Sequence, residues 1–179
     1  QFAASGLVKS ENDAFDGWYY VRNGCVQKGQ ETVVQNSSGW WYIGTDGKVD
    51  FHKNTVAPNE YGWWAVRNGA VDFQLNGIAS NESGDWYCRG GQVDFGAAGV
   101  LESETEGFSG WYYIQNGCVQ KGQETVKQNS NGWWYIGTDG KVDFGFSGIA
   151  SNENGTWYIE NGKVNFNYSG TYEDENGRI

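Results

Sequence analysis

Aromatic and acidic residues recur along this chain at a spacing that builds one small chemical arrangement several times over. Trp18 and Tyr20, Trp40 and Tyr42, Trp111 and Tyr113, and Trp133 and Tyr135 each stand first and third after a glycine, and Trp63 stands first after Gly62. Asp50, Asp72 and Asp143 follow later in three of these copies, and Gln120 takes the equivalent place in another. An aromatic platform beside a carboxylate or amide suits two ligand classes. Sugars stack their C–H face on the ring and hydrogen-bond their hydroxyls to the acid or amide. Quaternary ammonium ions are held by the ring quadrupole, and a nearby carboxylate adds charge attraction.

The same residues argue against catalysis. His52 is the only histidine, and its counterpart 93 residues on is Gly145. A Ser-His or Cys-His pair would need that histidine held by neighbours. No phosphate-binding glycine loop and no metal-ligand cluster is present in the sequence. One Asp per repeat is the distribution of a repeated binding or structural role, unlike the paired carboxylates of glycoside hydrolysis. The pairs Asn59-Glu60, Asn81-Glu82 and Asn152-Glu153 lack the alternating Asp spacing of a calcium loop and read as solvated turns. The expectation is a non-enzyme with no cofactor and no metal.

Composition narrows the fold. The 179 residues include 28 Gly, one Pro, no Met, ten Trp, eleven Tyr and nine Phe. Glycine costs a helix about 1 kcal/mol per residue, whereas Trp, Tyr, Phe and Val fit pleated, half-buried surfaces. Twelve basic against 22 acidic residues give a net charge of −10, without a Lys/Arg cluster. Phosphate backbones are bound by such clusters, so nucleic acid is excluded as a partner, and anionic membranes repel the chain. No apolar run approaches the roughly 20 residues that span a bilayer. Three cysteines are too few for a disulfide scaffold. Cys88 stands where other copies carry Val or Ile and reads as a small buried apolar residue. The opening at Gln1, without a basic apolar leader, reads as a mature or excised segment.

Internal repetition decides the architecture. Copies begin at Gly17, Gly39, Gly62, Gly84, Gly110, Gly132 and Gly155, and residues 2–16 and 167–179 are partial copies. Residues 24–51 recur at 117–144 with two changes: Lys127 stands in place of Val34, and Asn131 in place of Ser38. The pairs Asn23-Gly24, Asn68-Gly69, Asn116-Gly117 and Asn161-Gly162 signal tight primed turns. Each copy therefore reads as a β-hairpin, joined to the next by a polar connector such as residues 77–83. A 22-residue hairpin cannot bury a face alone, but stacked neighbours can. The fold expected is all-β: a β-solenoid of stacked hairpins forming a single array over residues 1–179.

Pairing Arg22 with Cys25 sorts each hairpin into two faces. The second and fourth residues after the glycine, with the later Val and Phe, form an apolar set expected to be core: Trp134, Ile136, Val142 and Phe144, or Trp86, Cys88, Val93 and Phe95. The first and third residues, with Lys48, Lys141 and the Asp series, form the outer, ligand-facing set. That set is Trp18, Tyr20, Trp40, Tyr42, Asp50, Trp63, Asp72, Trp111, Tyr113, Trp133, Tyr135 and Asp143.

The run Gly-Trp-Trp-Tyr-Ile, followed by Asp-Gly-Lys-Val-Asp-Phe, resembles the aromatic, glycine-rich cell-wall-binding repeats of Gram-positive surface proteins. It is similar to choline-binding and glucan-binding repeats and to the repetitive tails of clostridial toxins, and residues 155–166 look like repeats of gut Clostridia surface proteins. The resemblance extends from about residue 17 to residue 170. It implies an extracellular β-solenoid that attaches an exported protein to a wall polymer or glycan. Choline-binding units place a Met or aromatic after the turn glycine and a second Trp before the connector, whereas here the second strand reads Val-Asp-Phe, or Val-Gln-Lys from Gly17 and Gly110. The function expected is a non-catalytic cell-wall or glycan-binding module. The alternatives are a surface adhesin for a host or partner protein, and a passive spacer.

Overall fold

Asn23, Asn68, Asn116 and Asn161 take φ angles of 48 to 51°, and the glycines after them 74 to 77°. These are the paired left-handed positions of a type I′ turn, and they set the register expected from sequence: Val21 pairs with Val26 and Arg22 with Cys25. The computed structural model describes residues 4–171, so the outermost parts of both terminal partial repeats lie outside the described residues. It falls into two compact units, Gln1–Asp94 and Phe95–Ile179, and the described residues are all β-strand and turn.

The first unit holds β1 (Gly6–Ser10), β2 (Gly17–Arg22), β3 (Cys25–Val26), β4 (Thr32–Asn36), β5 (Gly39–Ile43), β6 (Thr55–Asn59), β7 (Gly62–Arg67), β8 (Ala70–Val71), β9 (Gly77–Asn81), β10 (Gly84–Arg89) and β11 (Gln92–Val93). The second holds β12 (Gly99–Thr105), β13 (Phe108–Gln115), β14 (Cys118–Val119), β15 (Thr125–Asn129), β16 (Gly132–Ile136), β17 (Gly148–Asn152), β18 (Gly155–Glu160) and β19 (Lys163–Val164). Strands pair antiparallel within the units, and β6–β7–β8 and β9–β10–β11 each make a three-strand repeat. The connectors are therefore strands, which corrects the expectation of polar loops. Residues 77–81, expected as connector, form β9 and pair with β10 from Gly84 to Cys88. The reason is satisfaction of backbone groups: the long strand has a second edge, and buried N–H and C=O groups must find partners.

Consecutive repeats interlock through the backbone. The N–H of Tyr42 donates to the carbonyl of Gly69 at 2.8 Å, that of Ala65 to Gly91 at 2.7 Å, and that of Tyr135 to Gly162 at 2.8 Å. Trp41 pairs with Ala70, Trp64 with Gln92, and Trp134 with Lys163. Within each unit the core runs along these contacts. Ile43, Val66, Cys88, Ile114, Ile136 and Ile159 are at most 2% exposed, and Val49, Val71, Val93, Val119, Val142 and Val164 pack beside them.

Burial follows position along the strand more than face. The third residues Tyr42, Ala65 and Tyr135 are as buried as the fourth, packed against connector residues Val33 and Ala57, Val56, and Val126 and Ala150, whereas Tyr20, Tyr87, Tyr113 and Tyr158 at the same place are half-buried. Conversely, Phe51, Phe73, Phe95, Phe144 and Phe166 are 42 to 63% exposed. Phe95 and Phe144 thus leave the core assigned to them. The short strands end at Val, and the next side chain turns the backbone: Asp50, Asp72 and Asp143 Oδ1 accept the N–H two residues on, from His52, Gln74 and Gly145. Strand alternation stops before the Phe, which lies in a turn.

Candidate functional site: aromatic cages between repeats

Each cage begins with an asparagine at the end of a connector strand. Asn36, Asn59, Asn81, Asn129 and Asn152 use Oδ1 to accept the indole N–H of Trp41, Trp64, Trp86, Trp134 and Trp157 at 2.9 to 3.1 Å. The same oxygens accept a backbone N–H two residues on, which shapes the turn before the glycine. Asn81 and Asn152 also donate through Nδ2 to the carbonyls of Val56 and Val126, at 3.0 and 2.8 Å. One side chain therefore shapes a turn, fixes an indole and clasps the preceding connector. The Asn of the Asn-Glu pairs is structural, with its oxygen already engaged.

The fixed indoles meet aromatics of the preceding repeat. In the first unit the ring centroids of Trp40 and Trp64 lie 5.0 Å apart, Trp64 and Phe73 5.7 Å, and Trp40 and Phe73 5.8 Å. Tyr61 adds a fourth wall 6.1 Å from Trp40. In the second unit Trp133, Trp157 and Phe166 repeat the arrangement at 5.2, 5.8 and 6.3 Å. Trp63 and Trp86 form a further pair at 5.1 Å. A third group lines a cavity of about 280 Å³ with Trp111, Trp134 and Phe144, the last two 5.5 Å apart. A cation resting on three such rings sits within about 6 Å of every centroid, the range of cation–π attraction. The indoles are half-buried and the Phe rings exposed, so each cage opens to solvent.

Of the residues expected to face a ligand, Trp40 and Trp133 are cage walls, Trp63 meets Trp86 edge to face, and Trp111 lines its cavity. Trp18 is half-buried on β2. Tyr42 and Tyr135 are 3 and 4% exposed and belong to the core, which corrects their placement on an outer face. Burial first, and then Glu31 beside it, pushes the Tyr42 hydroxyl well above its usual range; burial with Glu124 raises Tyr135 to about 12. Tyr20 pairs with Arg22, and Tyr113 lies 5.1 Å beneath the Lys127 ammonium. Asp50, Asp72 and Asp143 hold turns, and Asp72 also faces Arg67 at 3.7 Å. The walls missed from sequence include Trp64, Phe73, Trp134, Phe144, Trp157 and Phe166, all assigned to the core side of the hairpin by strand alternation.

The family model for the choline-binding repeat matches residues 15–27, 31–50, 53–72, 76–94, 109–120 and 145–165, more than half of the chain. The chain belongs to the choline-binding repeat family. Among solved structures, CbpJ from Streptococcus pneumoniae TIGR4 is 20% identical with a TM-score of 0.37, over 86% of this chain and 48% of that one. Choline binding protein F from Streptococcus pneumoniae is 19% identical with a TM-score of 0.36, over 88% and 48%. The Cpl-1 endolysin complexed with a peptidoglycan analogue is 18% identical with a TM-score of 0.34, over 78% and 37%. This choline-binding repeat chain thus spans less than half the length of each of those proteins. No curated protein matches it.

Proposed function

We propose that these choline-binding repeats form a β-solenoid that holds an exported protein at a cell surface by seating quaternary ammonium groups of a wall polymer in the cages between repeats. The observation that carries this reading is the Trp40–Trp64–Phe73 triad and its recurrence as Trp133–Trp157–Phe166. Rings set around one point recognise a diffuse positive charge that has no N–H to donate. Net charge of −10 adds a field that draws cations in, and several weak sites on one chain gain avidity. The module is read as non-catalytic; His52 lies exposed in a turn, its backbone N–H bonded to Asp50.

Phe73 and Phe166 give the test, because their exposed rings can be removed with little effect on the core. Combined Phe73→Ala and Phe166→Ala are expected to lower choline affinity about tenfold, one cation–π wall per cage, with an unchanged melting temperature. Retention of a folded double variant on immobilised choline at wild-type strength would sink the reading.

A second reading, direct contact with sugar, is favoured by a cleft of about 460 Å³ lined by Tyr20, Arg22, Gln27, Gln35, Trp40 and Tyr61 among others. Rings and amides side by side suit a polyol. Val34 also lines this cleft; at its counterpart in the second unit, Lys127 bonds Glu153 at 3.0 Å and covers Tyr113. Val34→Lys should therefore abolish a saccharide response and leave choline binding intact; a response that survives the substitution places the sugar elsewhere.

A further inference from the structure

Three lysines open the second strand of their repeats, and each reaches back across the preceding one. A Cβ placed on Gly17, Gly110 or Gly132 would lie 2.4 to 2.5 Å from the Cε of Lys48, Lys141 or Lys163. Only a glycine leaves room for these stems. Each ammonium ends over the second aromatic of the earlier repeat: Lys48 5.8 Å from the Tyr19 ring centre, Lys141 5.6 Å from Tyr112, and Lys163 5.0 Å from Trp134. Of these three rings, Trp134 is the one that shares a cavity with a second Trp and a Phe, and Lys163 lines that cavity too.

The counterpart of Lys163 in the first unit is Ala70. Ala70 pairs with Trp41 as Lys163 pairs with Trp134. The ring pairs are otherwise alike: Trp41 and Phe51 meet at 5.3 Å and 73°, Trp134 and Phe144 at 5.5 Å and 76°. Both indoles are held by the same asparagine contact, from Asn36 and Asn129. At the position paired with the indole, one carries a tethered cation and the other a methyl group. At the corresponding place beside Trp64 the chain carries Gln92, whose side chain crosses Gly62 and bonds the Tyr61 carbonyl at 2.8 Å, bringing no charge to its cage.

We propose that Lys163 is an internal occupant of the Trp111–Trp134–Phe144 cavity, making it reject quaternary ammonium ions while the Trp41–Phe51 pair beside Ala70 stays open to them. This rests on the cage reading above. The ammonium engages the Trp134 ring face that a ligand would use and repels a second positive charge in the same small space. A tethered group competes at an effective concentration on the order of millimolar, so a free ligand must exceed that level to displace it. Near-identical repeats would then be divided by one side chain into binding and non-binding cages.

The test follows the indole N–H resonances of the full chain in 15N-labelled protein titrated with choline chloride. Trp41 is expected to respond at a choline concentration at least tenfold below that of Trp134. Lys163→Gln, which keeps a stem across Gly132 as Gln92 does across Gly62, should bring the Trp134 midpoint within threefold of Trp41. Ala70→Lys should raise the Trp41 midpoint about tenfold, with Trp64 and Trp157 unchanged in both variants. Equal midpoints for Trp41 and Trp134 in the unaltered chain, or a Trp134 midpoint unmoved by Lys163→Gln, overturn the proposal while Trp64 and Trp157 still report cage binding. Silence at every indole removes the cage reading and this proposal together.

Discussion

The side-chain oxygen of Asn59 receives the indole N–H of Trp64 at 2.9 Å and the backbone N–H of Tyr61 at the same distance. Asn59→Ala strands a part-buried indole donor and releases the turn, which should cost about 1–3 kcal/mol and loosen the cage. Asn59→Asp keeps the acceptor and loses only the long 3.4 Å bond from Nδ2 to Val33, so its cost should be smaller. Urea unfolding of the two variants checks the order; Asn59→Ala unfolding like the unaltered protein would mean that the indole is held by packing alone.

Gly69 and Gly107 have similar backbone angles, φ +74 and +82°, but opposite surroundings. A Cβ on Gly69 would fall 2.2 Å from the carbonyl oxygen of Asp50 in the preceding repeat, whereas one on Gly107 meets nothing within 4 Å. Alanine at either place bears left-handed strain of about 1–2 kcal/mol. At Gly69 it also forces the repeats apart, adding about 1–3 kcal/mol. Thermal melts should therefore rank Gly69→Ala well below Gly107→Ala, and equal melting temperatures would show that the turn does not bear on its neighbour.

The turns and the registers were legible because Asn-Gly permits few alternatives, and a slip of one residue would turn Val21 and Val26 away from their partners. The cages were not, because no hairpin contains one: Trp40 comes from one repeat, Trp64 and Phe73 from the next. Alternation was also carried one residue too far, past Asp72, whose side chain ends the strand by bonding the Gln74 N–H. A signal was nevertheless present. Every tryptophan in the second position has an asparagine five residues earlier, as in Asn36 and Trp41 or Asn152 and Trp157, while Tyr19 and Tyr112 follow Ala14 and Gly107 instead. An acceptor appears where there is an indole N–H to receive.

Tyr135 predicts how stability changes in alkali. Its hydroxyl is raised from 10.0 to about 12 in the folded chain, by burial first and Glu124 second. The unfolded chain then releases this proton before the folded one does, so the contribution is whole below pH 10 and is lost as pH climbs toward 12. Tyr42, raised by burial and Glu31, acts in the same direction. Denaturation between pH 9 and about 12 should show stability falling through this window, and the fall should be shallower in Tyr135→Phe. An identical slope in that variant would assign the alkaline loss to other groups.

The three thiols should react in order of exposure. Cys25 is exposed, Cys118 intermediate, and Cys88 0% exposed, its thiol pushed up to about 12 by burial. Thiolate is the reactive form, and it is scarce at neutral pH when the pKa is raised. A disulfide reagent at pH 8 should label Cys25 within the time of an ordinary thiol and Cys118 more slowly. Cys88 should wait for local opening of β10, at least about a hundredfold slower. Mass spectrometry of timed samples reads the order, and addition of urea should make the three alike. Rapid labelling of Cys88 without urea would mean that β10 opens freely, and that the core between Val56 and Val93 is weaker than its packing implies.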